Sequence, residues 1–306
     1  MLRAKKNEPK KKGAISFWSK EKCTCPACQK QFDKEEMLSG SGRMNAGDLT
    51  DELHRNFIPT ERYGEIFPII YKIGACPNCH TALFWDDFNQ IDDTASLDAI
   101  AEDATARKAA VELIFPHYDL RHQRTLLDGA AMHYLALLCY TKVDAKYTPT
   151  AKCAILSIRL AWLCKDLNRI VPGYNYDYVS EVFYRKALFY YQQTLIKETT
   201  GDESVGTIPN LGPDIDKNYG YDGIIYLCGL LEYKYGQKDD MALRGKKLDE
   251  YKRSIARIFG LGKSSKNKPS ALLEHARALY ETLTKELSAN NIFSEDDDEE
   301  DEEAEV

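Results

Sequence analysis

Residues 226–243, YLCGLLEYKYGQKDDMAL, read as the end of one helix, a tight turn and the start of the next. Gly229 sits where two closely packed helices need a small residue. Gly236, seven residues on, sits where a helix ends in a left-handed turn that any side chain would strain. Residues 156–168, LSIRLAWLCKDLN, give the same two roles to Ala161 and Asn168, asparagine being the next-best left-handed residue. Small residues recur in the neighbouring helix at Ser180 and Ala187. Outward from these hairpins the helical pattern continues. Residues 96–115 are rich in Ala and Glu and stop at Pro116, and Leu126, Ala130, Tyr134, Leu137 and Leu138 mark one helix face. Pro149-Thr150 starts a run through Asn168 that Pro172-Gly173 breaks, and 178–197 is a Tyr- and Phe-rich helix. A polar loop fills 199–216. Helices over 219–235, 239–259 and 269–288 follow, the last two separated by 263–268.

The two glycine-type pairs lie 68 residues apart, twice the ~34-residue period of a tetratricopeptide repeat. Only one long helix and a loop fill that gap, so the repeats are degenerate rather than regular. The expected fold is mainly α: antiparallel helical hairpins of tetratricopeptide-like type, preceded by a small zinc-ribbon-like module with short strands.

That module rests on Cys25-Pro-Ala-Cys28 and Cys76-Pro-Asn-Cys79. A Cys-x-x-Cys knuckle offers two thiolates from one tight turn. Two knuckles complete the tetrahedral shell of a structural Zn²⁺ ion and leave no open position. Forty-seven residues separate Cys28 from Cys76, more than the ~15–20 of a compact four-cysteine site, so 40–68 reads as an insertion. The rival reading is two independent pairs, redox-active or simply reduced. Cys23 stands as an alternative to Cys25, although the Cys-Pro-x-Cys symmetry favours Cys25. Phe32 is placed to cover the sulfurs. Short strands are expected at 31–32 and 69–73. Cys139, Cys153, Cys164 and Cys228 are isolated on apolar helix faces and read as core.

The 306 residues carry a formal charge of −7, which conceals two opposed ends. Residues 295–305 hold ten acidic side chains, and residues 1–12 hold six bases against one acid. The remainder is nearly neutral, so the overall charge says nothing about a nucleic-acid surface on the folded part. The expected organisation is a basic arm over 1–20 and a zinc-ribbon-like module over 21–90, then a helical domain over 91–290 and an acidic tail over 291–306. Both ends are expected to lack fixed structure. No stretch approaches the ~20 apolar residues of a membrane helix, and no apolar region follows the basic start, so a cytoplasmic protein with no membrane association is expected.

Three further segments carry a resemblance: GRMNAGDLTDELHR (42–55), YGEIFPIIYKIGACPNCH (63–80) and ALFWDDF (82–88). With RLAWLCKDLN and YLCGLLEYKYGQ, they resemble an uncharacterised bacterial family, domain of unknown function 2225. That resemblance implies a split Cys-Pro-x-Cys module joined to tetratricopeptide-like helices, over roughly residues 22–285. His80 departs from the glycine or aromatic residue usual there. The family brings no known reaction or ligand. Within its motif, Arg43, Asp48, Asp51, Glu52 and Arg55 form either a recognition surface or an internal network, with Asp48 or Thr50 starting a short helix and Asp51 facing Arg55.

No HExxH, GxSxG or phosphate-binding glycine loop is present, and the six histidines are scattered, so a non-catalytic protein is expected. The leading functional expectation is an interaction scaffold that binds a protein or peptide in its helical groove. Tyr184 and Tyr191 would supply contacts there, against the alternative that both are core. Nucleic-acid binding through the zinc module and the basic arm is the second expectation, and a metalloenzyme the third.

Overall fold

The computed structural model describes residues 13–260 and 268–289. The basic stretch 1–12, most of the 263–268 separator and the acidic tail lie outside the described residues. The chain divides into two compact units. One comprises the described residues up to Thr50 together with His54–Cys139; the other comprises Asp51–Leu53 and the described residues from Tyr140. The division falls elsewhere than the change of composition near residue 91.

The first unit is built on three antiparallel strand pairs. β1 (Ser16–Thr24) pairs with β2 (Gln31–Met37), β3 (Ala46–Leu49) with β4 (Arg55–Phe57), and β5 (Ile73–Ala75) with β6 (Ala82–Phe84). β1 begins within the stretch expected to be a structureless arm, because residues 16–18 find partners in β2. Residues 69–73 are mostly a 3-10 turn, Pro68–Lys72, rather than a strand; Pro68 opens it with a fixed φ and no amide to donate. Four helices complete the unit: α1 (Asp87–Gln90), α2 (Thr94–Glu102), α3 (Ala104–Ile114) and α4 (Leu126–Tyr140). Asp93 caps α2 by accepting from the Ser96 amide at 2.8 Å. The chain breaks at Asp103, so the single helix expected over 96–115 is two.

Phe32 packs in an aromatic cluster with Trp85 and Phe88, ring centroids 6.2 and 5.5 Å away. The buried Glu35 carboxylate receives Arg124 Nε at 2.9 Å, and the same guanidinium donates to the carbonyls of Ile70 and Ile73. This one ion pair ties β2 to the turn that leads into β5.

The second unit is helical: α5 (Pro149–Ile170), α6 (Tyr176–Thr200), α7 (Gly220–Tyr235), α8 (Met241–Phe259) and α9 (Ser270–Ala289), each packed on the next. α5 is buried around most of its circumference. Its N-terminal amide at Thr150 donates to Glu203 Oε2 at 3.0 Å, and Lys197 pairs with the other oxygen at 2.6 Å. Small residues let helices approach as expected. Ser180 Oγ donates to the Ala161 carbonyl at 2.8 Å, and a side chain at Gly229 would stand 2.6 Å from Ile255 Cδ1.

The two residues read as left-handed helix ends are different. Gly236 does end α7, but with φ −62° and ψ 160°, which any residue adopts. Glycine is needed there because a Cβ would collide with the carbonyl and side chain of Glu232. Asn168 lies inside α5, which runs on to Ile170. Among the described residues, no helix is long and apolar enough to cross a membrane.

Candidate metal centre

Each Cys-Pro-x-Cys knuckle occupies the tip of a hairpin. Thr24 pairs with Gln31 at the end of β1–β2, and Ala75 pairs with Ala82 at the end of β5–β6. The two tips repeat one geometry. The Cys25 amide donates to Lys30 O at 3.0 Å and Gln29 N to Cys25 O at 2.9 Å; the Cys76 amide donates to Thr81 O at 2.8 Å and His80 N to Cys76 O at 2.9 Å. Gln29 (φ 59°) and His80 (φ 58°) are both left-handed, the bend that aims the amides of each knuckle inward. The amide of Cys28 donates to the Cys25 sulfur, and those of Asn78 and Cys79 donate to the Cys76 sulfur.

The tips bring four sulfurs together. Cys25 Sγ lies 3.5 Å from Cys79 Sγ, Cys28 Sγ lies 3.7 Å from Cys76 Sγ, and all four fall within 4.8 Å of one another. None is in a disulfide. Four thiols this close could hold a metal ion. Cys23 stays outside the cluster: it is still in β1, opposite Phe32, with its thiol against its neighbour's carbonyl.

Hydrogen bonds from Cys25 and Cys76 hold the Cys79 thiol well below its ordinary range, and Thr81 Oγ1 at 3.1 Å assists. The same shared protons push Cys25 up. For Cys76 the contact with Cys25 lowers the pKa, but Cys79 and burial outweigh it and the group ends near 11. Further negative charge in so small a space needs a cation to balance it.

Behind the second knuckle stands Arg107, 1% exposed. Its guanidinium donates to Cys79 O at 3.0 Å, His80 O at 3.1 Å and Ile100 O at 2.8 Å, with Asp103 at 3.7 Å. In the sequence Arg107 reads as one more charge on an amphipathic stretch, so its role was missed. His80 is no ligand; its ring meets Tyr118 edge-on at 6.1 Å. Cys139, Cys153, Cys164 and Cys228 are all buried core residues, their thiols pushed up by burial.

The six residues considered for recognition divide between the two units. Arg43 donates to the carbonyls of Ala14 and Gly40 and lies over the Tyr63 ring. Asp48 is exposed on β3, and Arg55 on β4 donates to Gly47 O at 2.8 Å. Residues 50–54 turn between strands instead of starting a helix, and Asp51 pairs with Lys234 at 2.7 Å. In the helical unit Tyr184 spends its hydroxyl on Glu52, and Tyr191 is 1% exposed, a core residue.

No solved structure matches this chain. A protein of Borreliella burgdorferi, described as an uncharacterized protein, is 40% identical over 274 residues, covering 89% of this chain and 98% of its own. The model of the family described as "Uncharacterized protein conserved in bacteria (DUF2225)" matches residues 18–283, a span that holds all four clustered cysteines. The chain belongs to that family.

Proposed function

We propose that this is a non-catalytic cytoplasmic protein whose four thiolates hold one structural zinc ion and whose tetratricopeptide-like helical unit binds another protein. The observation that carries the zinc reading is the convergence of four sulfurs with no other donor among them. Thiolates at ~2.3 Å from zinc in a tetrahedron stand ~3.8 Å apart, close to the 3.5 Å of Cys25–Cys79 and the 3.7 Å of Cys28–Cys76. Bound there, the ion supplies charge neutralisation and a crosslink. The chain's own groups do the rest: inward amides offset the thiolate charge, and Arg107 fixes the second knuckle. Four thiolates leave no position for a substrate, which argues against metal-assisted hydrolysis.

Support for protein binding comes from stacked helices closed by small residues and from a polar cleft along α6 and α7. Metal analysis of the purified chain should return one zinc per molecule, lost in Cys76→Ser. Affinity capture from the native cell should recover a specific partner. A zinc-free protein, or a capture that returns nothing specific from the loaded chain, would overturn the corresponding half of the reading.

A further inference from the structure

The helical unit already encloses an acidic peptide segment, and it is the chain's own. Trp162 Nε1 and the Tyr184 hydroxyl both donate to Glu52 Oε2 at 2.6 Å. Lys234 Nζ stands 3.3 Å and Lys165 Nζ 3.8 Å from Glu52 Oε1. Lys234 also holds Asp51, and Tyr226 donates its hydroxyl to the Asp51 carbonyl at 2.7 Å. Leu53 is fully buried. A main-chain contact, a carboxylate pocket and a buried apolar side chain in sequence are the parts of a peptide-recognition site. Burial and the nearby Glu52 carboxylate keep the Tyr184 phenol protonated, so it remains a donor.

Two features separate this arrangement from an ordinary core contact. Lys234, which holds Asp51 and Glu52, also lines a cleft of about 730 Å³. Its neighbour Tyr235 lines the cleft too and stacks on Tyr184 at 4.2 Å; the cleft continues past Arg185 and Gln192 to Lys238. The resident segment is also imperfectly seated. Leu53 sits at φ 59°, a strained conformation for a leucine, and the Asp51 side chain is half exposed.

The geometry points to a recognition site for an acidic peptide, a glutamate followed by an apolar residue, with Asp51–Leu53 as its resident occupant and a partner segment of the same chemistry as its competitor. This rests on the protein-binding reading above and specifies the partner. Glutamate is required because two neutral donors and two ammonium groups converge on its oxygens; the NH₂ of a glutamine would meet donors with a donor.

The test uses a fluorescent peptide of residues 49–55 and its Glu52→Gln counterpart, titrated into the full zinc-loaded chain. The second protein is the full chain with Asp51→Gly, Glu52→Gly and Leu53→Gly. The vacated chain should bind the peptide saturably and the wild type about tenfold more weakly or worse, with about a tenfold loss for the glutamine peptide. A vacated chain that melts cooperatively yet binds neither peptide, or both equally, overturns the proposal. If the triple variant does not fold, hydrogen exchange at residues 50–54 of the wild type is followed with excess peptide. Acceleration supports the competition, and unchanged exchange overturns it. Zinc loading and partner capture that persist while the peptide fails would sink this proposal alone.

Discussion

Cys23 and Cys25 differ by two positions and by everything that matters for the cluster: one lies in a paired strand, the other in the turn beyond it. Cys25→Ser should therefore bring bound metal well below one equivalent after dialysis, while Cys23→Ser leaves it unchanged; metal analysis of both variants checks this. Equal losses would mean that the two thiols exchange as ligands. Arg107 is the second decisive residue, since its buried guanidinium donates to three carbonyls, two of them in the second knuckle. Arg107→Met should destabilise the protein by about 2–4 kcal/mol in chemical denaturation. Arg107→Lys should recover only part of that, because a single ammonium cannot reach three diverging carbonyls. The cysteine pattern was legible because thiolate spacing is a local property of one turn. Arg107 was not, because two of its three acceptors, the Cys79 and His80 carbonyls, lie 28 and 27 residues away.

Gly236 and Asn168 looked equivalent by position in their hairpins, and the helices treat them differently. Gly236→Ala should cost about 1–3 kcal/mol, since the added methyl meets the Glu232 carbonyl and side chain. Asn168→Ala should be neutral or stabilising by about 0.5 kcal/mol, as expected of an asparagine inside a helix. Equilibrium denaturation of the two single variants settles the contrast, and equal losses would restore the repeat equivalence. The helices themselves were readable to within a few residues because Pro, Gly and apolar spacing act within one or two turns. The strand at Ser16–Thr24 escaped because its polar, Lys-containing sequence acquires strand character only from pairing with β2.

At the scale of the whole molecule, the metal and the folded state should be linked. Removing the ion with a chelator under reducing conditions should lower the melting temperature, and restoring zinc should recover it, because binding to the folded state alone stabilises it by mass action. Acidification should act in the same direction, as protons displace the ion from the thiolates. Calorimetry across chelator and pH series reads both, and a melt indifferent to metal would remove the structural role. That the chain is mainly helical, that two Cys-Pro-x-Cys turns precede the long helices, and that four isolated cysteines are core could all be read along the chain. These follow from periodicity and turn chemistry, which are written within a few residues. Only the tertiary structure decided that Cys25 rather than Cys23 joins the cluster, that Tyr184 answers Glu52, and that Asp51–Leu53 belongs with the helices. The sulfur contacts join residues 48 and 54 positions apart and the Glu52 contacts residues 110 and 132 apart, and no local rule of spacing or propensity records which distant donor a buried carboxylate will find.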